Sequence, residues 1–511
     1  MKAHFLHLHG TDASRSRRSA CLALAAGSVL LAMSSMVSSV HGAFSALPFT
    51  LSGPGVDPGQ FEVTAFASGL NYPVGMAQLP DGSLLVTSTD GPSYFSSNAR
   101  LVRLVDANQD GYADGPPVPL ITGLPGGLTS VCIAGKLVIV TGQSKPIVVL
   151  RLGPAPGFAL TEVGRITLTY PSGGWLHPHS ALQVRPTPGQ TNAYDLVFQL
   201  GSKANFAATA SSQTVSLAST GLGGLAGTLL GDSVYMLTLT DSGTSVRGSN
   251  LLQLLNGVRN PAGFAFHPTT GDLYFEDNGI DGLVDANEPT SADELNILPV
   301  SRIGGTGPGD VEFYGFPTNY TAYRTRVVVG GQGRQPLVAF QPLPNPLNGA
   351  ESEGPNDIAF SPPDFPPSLG GGVFVTFHGK FSLGGTSNEE SPLVFVNLQT
   401  TNYFHVIPPK LDGIGHLDGL LSTTDSLFVS DISPNGPLSN QAGRGVIYQI
   451  KSLIGPKLEI RRVDGGVELQ WSRGVLQASL QPTGGWTDVT NASPHFVPAD
   501  QPKRFFRARV P

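Results

Sequence analysis

Asn71-Tyr72-Pro73-Val74-Gly75-Met76-Ala77-Gln78-Leu79-Pro80-Asp81-Gly82-Ser83-Leu84-Leu85-Val86-Thr87-Ser88 reads as strand, turn, strand. The first segment alternates and is half apolar, Pro80-Asp81-Gly82 is a turn, and the second segment is rich in β-formers, which together predict one hairpin of a β blade. The phrase returns five times. It recurs at Leu128 to Thr141 around Ala134-Gly135, and at His179 to Gly201, where Pro186-Thr187-Pro188-Gly189 enlarges the turn. Further copies run from Asn260 to Asn278, from Pro355 to Phe377 with a proline-rich insertion, and from His416 to Asp431. A single hairpin of this kind cannot bury both faces, whereas radial stacking of six does so; the sequence therefore predicts an all-β, six-bladed β-propeller over residues 61–452 with a polar central funnel. A pair of β-sandwiches is the alternative, but it gives no reason for six copies of one phrase. At roughly 65 residues per unit the repeats exceed the ~40–50 of compact propellers, so long loops are expected on one rim.

Composition agrees. The 511 residues are 13% charged, with 64 Gly and 43 Pro that cut the apolar runs short. No stretch carries a sustained 3.6-residue apolar period, which argues against helix bundles and doubly wound α/β folds. Residues 43–60 are a lead-in. After Ile454-Gly455-Pro456 the phrase stops, and residues 457–511 alternate around the turns Asp464-Gly465-Gly466 and Thr483-Gly484-Gly485, predicting a small C-terminal β-sandwich-like module.

Residues 1–42 read as a signal peptide: Arg15, Arg17 and Arg18 precede the apolar run Cys21 to Met33, and Val40-His41-Gly42 offers small residues for cleavage. Arg17-Arg18 raises the twin-arginine route, but Ser19-Ala20-Cys21 lacks the bulky apolar residues that should follow it, which favours general export; an uncleaved anchor is the alternative. A periplasmic or secreted location is expected. Cleavage removes Lys2 and three arginines but only one acid, Asp12, so the formal charge of −7 becomes more negative and nucleic acid is not an expected partner. No later segment is long and apolar enough to span a membrane. Cys132 is left without a second cysteine to pair with in the exported chain.

Several polar residues stand where a propeller's loops meet over its axis. Arg259-Asn260 precede the fourth unit's first strand, where a guanidinium can polarise a ligand oxygen and an amide can orient a ring. A pairing of Arg259 with a blade carboxylate, with Asn260 capping the turn before Pro261, is the plainer reading. His177 and His179 flank Pro178, and an imidazole titrating near neutrality suits a base that takes a hydroxyl proton; shaping a turn or ligating a metal are the alternatives. Asp106-Ala107-Asn108-Gln109-Asp110-Gly111-Tyr112-Ala113-Asp114 carries oxygen side chains at positions 1, 3, 5 and 9 with Gly at 6, the opening of an EF-hand-type calcium loop in which Tyr112 occupies position 7. It lacks the Glu at position 12, where Pro117 stands, and an Asx-rich turn is the alternative.

The run Arg259-Asn260-Pro261, Gly263-Phe264-Ala265-Phe266, Thr270-Gly271-Asp272-Leu273-Tyr274 and Asp293-Glu294-Leu295-Asn296, with Tyr314-Gly315-Phe316-Pro317 beyond, resembles the glucose/sorbosone dehydrogenase family. The likeness covers roughly Phe61 to Lys451. That resemblance implies a soluble six-bladed propeller that oxidises an aldose with pyrroloquinoline quinone (PQQ) and Ca2+, passing electrons to an external acceptor. By resemblance His177 is the catalytic base, with His179 second, and Arg259 and Ca2+ polarise the cofactor. Asn260, Lys380, His416 and His179 then line the cofactor, and the carbonyls of Gly279 and Ile280 hold its calcium. In Gly415-His416-Leu417-Asp418 the histidine stands where the family carries an anion-binding arginine. A binder of carbohydrate or protein that has lost cofactor anchors, and a calcium-dependent lactonase-type hydrolase, are the competing functions.

Overall fold

The computed structural model describes residues 47–509 apart from 208–212, 305–310, 473, 482–484, 491 and 501–503. The signal-peptide segment and residues 43–46 of the lead-in lie outside the described residues.

Six antiparallel blades follow one another along the chain. Blade 1 comprises Met76–Gln78, Leu84–Asp90, Asn98–Leu104 and Val118–Pro125, and blade 2 Leu128–Ala134, Leu137–Gly142, Ile147–Leu152 and Leu160–Thr169. Blade 3 comprises Leu182–Pro186, Ala193–Leu200, Ser233–Asp241 and Val246–Asn256, and blade 4 Phe264–Phe266, Leu273–Asp277, Glu294–Leu298 and Val338–Ala339. Blade 5 is Pro355–Phe360, Gly372–Phe377, Leu393–Asn397 and Tyr403–Ile407. Blade 6 takes Leu417–Ser422, Ser426–Asp431 and Gly445–Ser452 from the end of the propeller, and its fourth strand, Phe61–Leu70, from the beginning. Each blade's first strand packs on the next, and the sixth packs on the first, so the ring is closed.

Alternation along a strand sends neighbouring residues into different gaps between blades, which explains why the strands are apolar throughout. In blade 2, Val138 and Val140 pack toward blade 1 while Leu137 and Ile139 pack toward blade 3. In blade 5, Val373 and Val375 face blade 4 and Phe374 faces blade 6. Comparable cores fill the gaps between blades 3 and 4 and between blades 6 and 1. Where neighbouring first strands come closest, three glycines leave no room for a side chain. A Cβ on Gly75 would sit 2.9 Å from Val131 N, one on Gly263 would sit 2.7 Å from the Asp357 Cα, and one on Gly419 would overlap the Val74 carbonyl.

One excursion breaks the four-strand plan. Between the second and third strands of blade 3 the chain forms a hairpin, Thr214–Thr220 with Ala226–Leu230, whose first strand pairs with Leu160–Thr169 and extends blade 2 to six strands. Beyond the propeller, the sheet of Leu458–Val463, Gly466–Trp471 and His495–Pro498 faces that of Val475–Ser479, Thr487–Thr490 and Phe505–Arg509 across Leu469, Trp471 and Leu476.

First strands run away from one rim and second strands return to it. Segments that enter first strands and segments that leave second strands therefore share that rim, the mouth. A channel of about 660 Å³ lined by the six first strands runs along the axis.

Candidate functional site

A recurring device sets the mouth loops. At the end of a second strand, a polar side chain accepts the amide hydrogens of the segment that enters the same blade's first strand. In blade 4, Asp277 accepts from Arg259 N (2.9 Å) and Asn260 N (2.6 Å). In blade 6, Asp431 accepts from Gly415 N (2.8 Å), His416 N (3.0 Å) and Ser433 N (3.2 Å). Gln199 does the same for Ser180 and Ala181 in blade 3. Arg259-Asn260 and Gly415-His416 thus occupy equivalent places in their blades.

Arg259 is only 3% exposed, and its guanidinium is occupied. It donates to Asn205 O (3.2 Å) and Oδ1 (2.7 Å), to Asn278 O (3.4 Å) and to Asp281 Oδ2 (2.6 Å). Its carbonyl accepts from Ser202 N, and the Ser202 carbonyl accepts from His177 N, which brings His177 beside it. The Nε2 of His177 is buried with no hydrogen-bond partner. Burial, with the Arg259 charge second, pushes its pKa down to about 3, so the ring is neutral. His179 is different. Its Nδ1 meets the Tyr170 hydroxyl (2.7 Å) and its Nε2 the Lys145 carbonyl (2.5 Å), so both nitrogens are used within the fold.

Blades 5 and 6 place a second imidazole at the mouth. His378 Nδ1 bonds Asp418, and its Nε2 is buried without a partner. The ring stacks on His416 at 4.5 Å. His416 is enclosed: Nδ1 lies 2.9 Å from the His378 carbonyl and Nε2 3.2 Å from the Gly436 carbonyl. Burial and the neighbouring His378 lower its pKa to about 4, and a neutral ring with one N–H can donate to only one of those carbonyls. The Lys380 ammonium pairs with Glu390 at 2.6 Å. The His378–Asp418 pair was not singled out as a site in the sequence; its members are 40 residues apart and belong to adjacent blades.

The residues suggested for calcium separate. Gly279 and Ile280 lie at the mouth, where Gly279 N donates to Asp293 Oδ1 (2.6 Å) and the Ile280 carbonyl accepts from Thr290 N (2.8 Å). The 106–114 loop lies at the opposite rim, beside the start of the closing strand, where Thr64 Oγ1 donates to Gly111 O. There Asp106 accepts from Asp110 N and Gly111 N, Asn108 Nδ2 donates to Asp110 Oδ2, Asp110 Oδ1 accepts from Tyr112 N, and Asp114 accepts from Ala107 N.

Buried carboxylates give the molecule a distinct pH response. Desolvation raises Asp232 and Asp293 to about 7 and Asp277 and Asp431 to about 6. Each such group stabilises the folded chain below its unfolded pKa of ~4, and that contribution is lost as pH rises through the folded value. His177, His179, His405 and His416, held at about 3 to 4, act in the opposite sense up to the unfolded histidine pKa of ~6.5. Above that pH only the carboxylate contribution still changes. The melting temperature in EDTA is therefore expected to fall between roughly pH 6.5 and 8.5, as read by scanning fluorimetry at constant ionic strength; a flat or rising trend would contradict the assignment.

No protein-family model matches the chain. An uncharacterized protein of Borreliella burgdorferi is 43% identical over 61 residues, 12% of this chain, and the match spans 13% of that protein's length. Among solved structures, the holo PQQ domain of a pyranose dehydrogenase from Coprinopsis cinerea is 17% identical, covering 76% of this chain and 95% of that one with a TM-score of 0.47. A PQQ-bound aldose sugar dehydrogenase from Streptomyces coelicolor is 18% identical over 76% and 98% of the two chains, with a TM-score of 0.45. The calcium structure of a Trichoderma reesei family AA12 carbohydrate-active enzyme is 16% identical over 77% and 96%, with a TM-score of 0.49. The propeller assignment rests on the strand pairing and ring closure described above.

Proposed function

We propose that the mouth binds a neutral carbohydrate. The observation that carries this reading is the pair of buried, partnerless imidazole nitrogens, His177 Nε2 and His378 Nε2, on a rim where the cations named for an anionic cofactor are already engaged. Orphaned polar atoms of this kind need a hydroxyl or water to complete them. Phe95 and Phe381, 61% and 62% exposed, stand on loops leaving the second strands of blades 1 and 5 and offer ring faces to the C–H side of a sugar.

The donor set does not match PQQ. That quinone bears three carboxylates. Arg259 is held by Asp281 and Asn205, Lys380 by Glu390, and His416 is neutral between two carbonyls, while Lys203 donates to Gln213. The carboxyl groups of Glu351, Glu353 and Glu390 cluster on the same rim. The Ile280 carbonyl, suggested for the quinone's calcium, is turned to the Thr290 amide.

A second reading, oxidation of a sugar hydroxyl, is favoured by one feature, that His177 is neutral and uncommitted at Nε2; its pKa of about 3, lowered by burial and the Arg259 charge, makes it a weaker base than the near-neutral imidazole the sequence suggested. Titration calorimetry of the full chain against neutral mono- and oligosaccharides, with PQQ plus calcium as a parallel arm, separates the two. The first reading expects sugar binding that His378→Ala weakens by about tenfold, as loss of a buried hydrogen bond of ~1.4 kcal/mol implies, with no change in the PQQ spectrum. Dye reduction that depends on PQQ and disappears in His177→Ala would replace it with the second.

A further inference from the structure

We propose that the outer flank of the ring, between the last strands of blades 4 and 5, is a cleft that takes the end of an extended peptide by its free C-terminal carboxylate. The inference stands apart from the carbohydrate reading. A cavity of about 450 Å³ lies there, lined among others by Arg326, Leu337, Val338, Gln341 and Leu343 on the side of blade 4 and by Tyr403 on the side of blade 5. That volume is within the range of sites that hold a small ligand or a chain end.

Gln341 carries the argument. It is 3% exposed, and its Oε1 and Nε2 are both buried without a hydrogen-bond partner. Its main chain is pinned from blade 5, because the Tyr403 hydroxyl accepts from Gln341 N (2.6 Å) and donates to Gln341 O (2.8 Å). Only the side-chain amide of this residue is left to be satisfied, and its soft terminal torsion lets it turn an edge to a ligand in the cavity. An orphaned acceptor beside an orphaned donor calls for a partner with one of each. A residue in an extended chain is such a partner, since its N–H and C=O point to the same side.

The sheet favours the same occupant. Val338–Ala339 is the outermost strand of blade 4 and pairs inward with Glu294 and Leu295, so its other edge has no strand beside it among the described residues. An incoming segment can lie along that edge, with Leu337, Val338 and Leu343 as apolar seats for its side chains. Charge then fixes which part of a peptide enters. Arg326, beyond the strand Tyr320–Thr321 and before its partner Val328–Val329, is exposed, and its guanidinium has no ion-pair or hydrogen-bond partner among the described residues. Arg324, two residues earlier, is by contrast held by Glu288 and Glu351. The Arg326 charge is felt at Tyr403: burial raises the phenol, and the Gln341 hydrogen bond and this guanidinium oppose the rise. A free guanidinium receives a carboxylate through two parallel hydrogen bonds. The terminal carboxylate thus goes to Arg326, and a neighbouring residue of the peptide to Gln341.

The test is fluorescence anisotropy of the full chain with a pool of tetrapeptides, dye-labelled at the N-terminus and carrying each apolar residue in the last place, against the same pool made as C-terminal amides. The free acids should bind, and the amides at least about tenfold more weakly, as loss of a charged hydrogen bond implies. Arg326→Ala should bring both pools to the weaker level. Gln341→Leu should weaken both by about tenfold while melting no lower than the parent, since it removes a buried amide that has no partner in the free chain. No binding of the free acids, equal binding of acids and amides by the parent, or unchanged affinity in both variants would overturn the proposal.

Discussion

A chain that starts at Asn71, and so lacks Phe61–Leu70, should fail to fold cooperatively. That strand supplies the outer edge of blade 6 and pairs with Gly445–Ser452 along its length. It also carries Phe61, Phe66, Ala67 and Leu70 into the cores on both sides of the blade, and the preceding Phe49 and Leu51 go with it. Burying five large apolar side chains contributes roughly 1.5–3 kcal/mol each. The loss is comparable with the whole ~5–15 kcal/mol stability of an ordinary folded protein, before the backbone ladder is counted. Gel filtration should show association through the bared edge, and circular dichroism should show no sharp melt. A monomer melting within a few degrees of the full chain would mean that the ring does not depend on this closure. Supplying residues 47–70 as a peptide in trans should recover the melt, because the missing contacts are all in that segment.

Asp431→Ala is expected to be the most damaging single substitution at the mouth. Its carboxylate is fully buried and answers three amides, of Gly415, His416 and Ser433, none of which can turn to water once the acceptor is gone. A buried donor left unsatisfied costs about 1–3 kcal/mol, so a loss of roughly 3–6 kcal/mol is expected in urea denaturation. Asp277→Ala strips two amides, at Arg259 and Asn260, and should lose less, roughly 2–5 kcal/mol. The order of the two variants is the sharper test, because it follows from counting donors. Equal losses, or a loss below about 1 kcal/mol for Asp431→Ala, would show that the loops do not depend on these caps.

The blades are legible in the sequence because packing on both faces leaves a plain mark. Runs such as Leu137-Val138-Ile139-Val140 admit no polar face, and the bounds read for the fifth unit, Pro355 to Phe377, coincide with its first two strands. What could not be read is pairing between distant segments. Nothing in Phe61–Leu70 names Gly445–Ser452 as its neighbour, and the hairpin at Thr214–Leu230 gives no sign that it leaves its own blade for the edge of the previous one. The same limit governs the mouth. Repeat position puts His177, Arg259, Lys380 and His416 on one rim and the 106–114 loop on the other. The partners that decide their chemistry, such as Asp281 and Asn205 for Arg259 or Asp418 for His378, come from loops whose shape the repeat does not specify.

Gly75, Gly263 and Gly419 meet a neighbouring strand's backbone so closely that no side chain fits. Heredity can therefore rewrite the rim but not the hub. Descendants of this chain that acquire new ligands should differ by lengthening or recolouring their surface connections, while these three positions stay as they are.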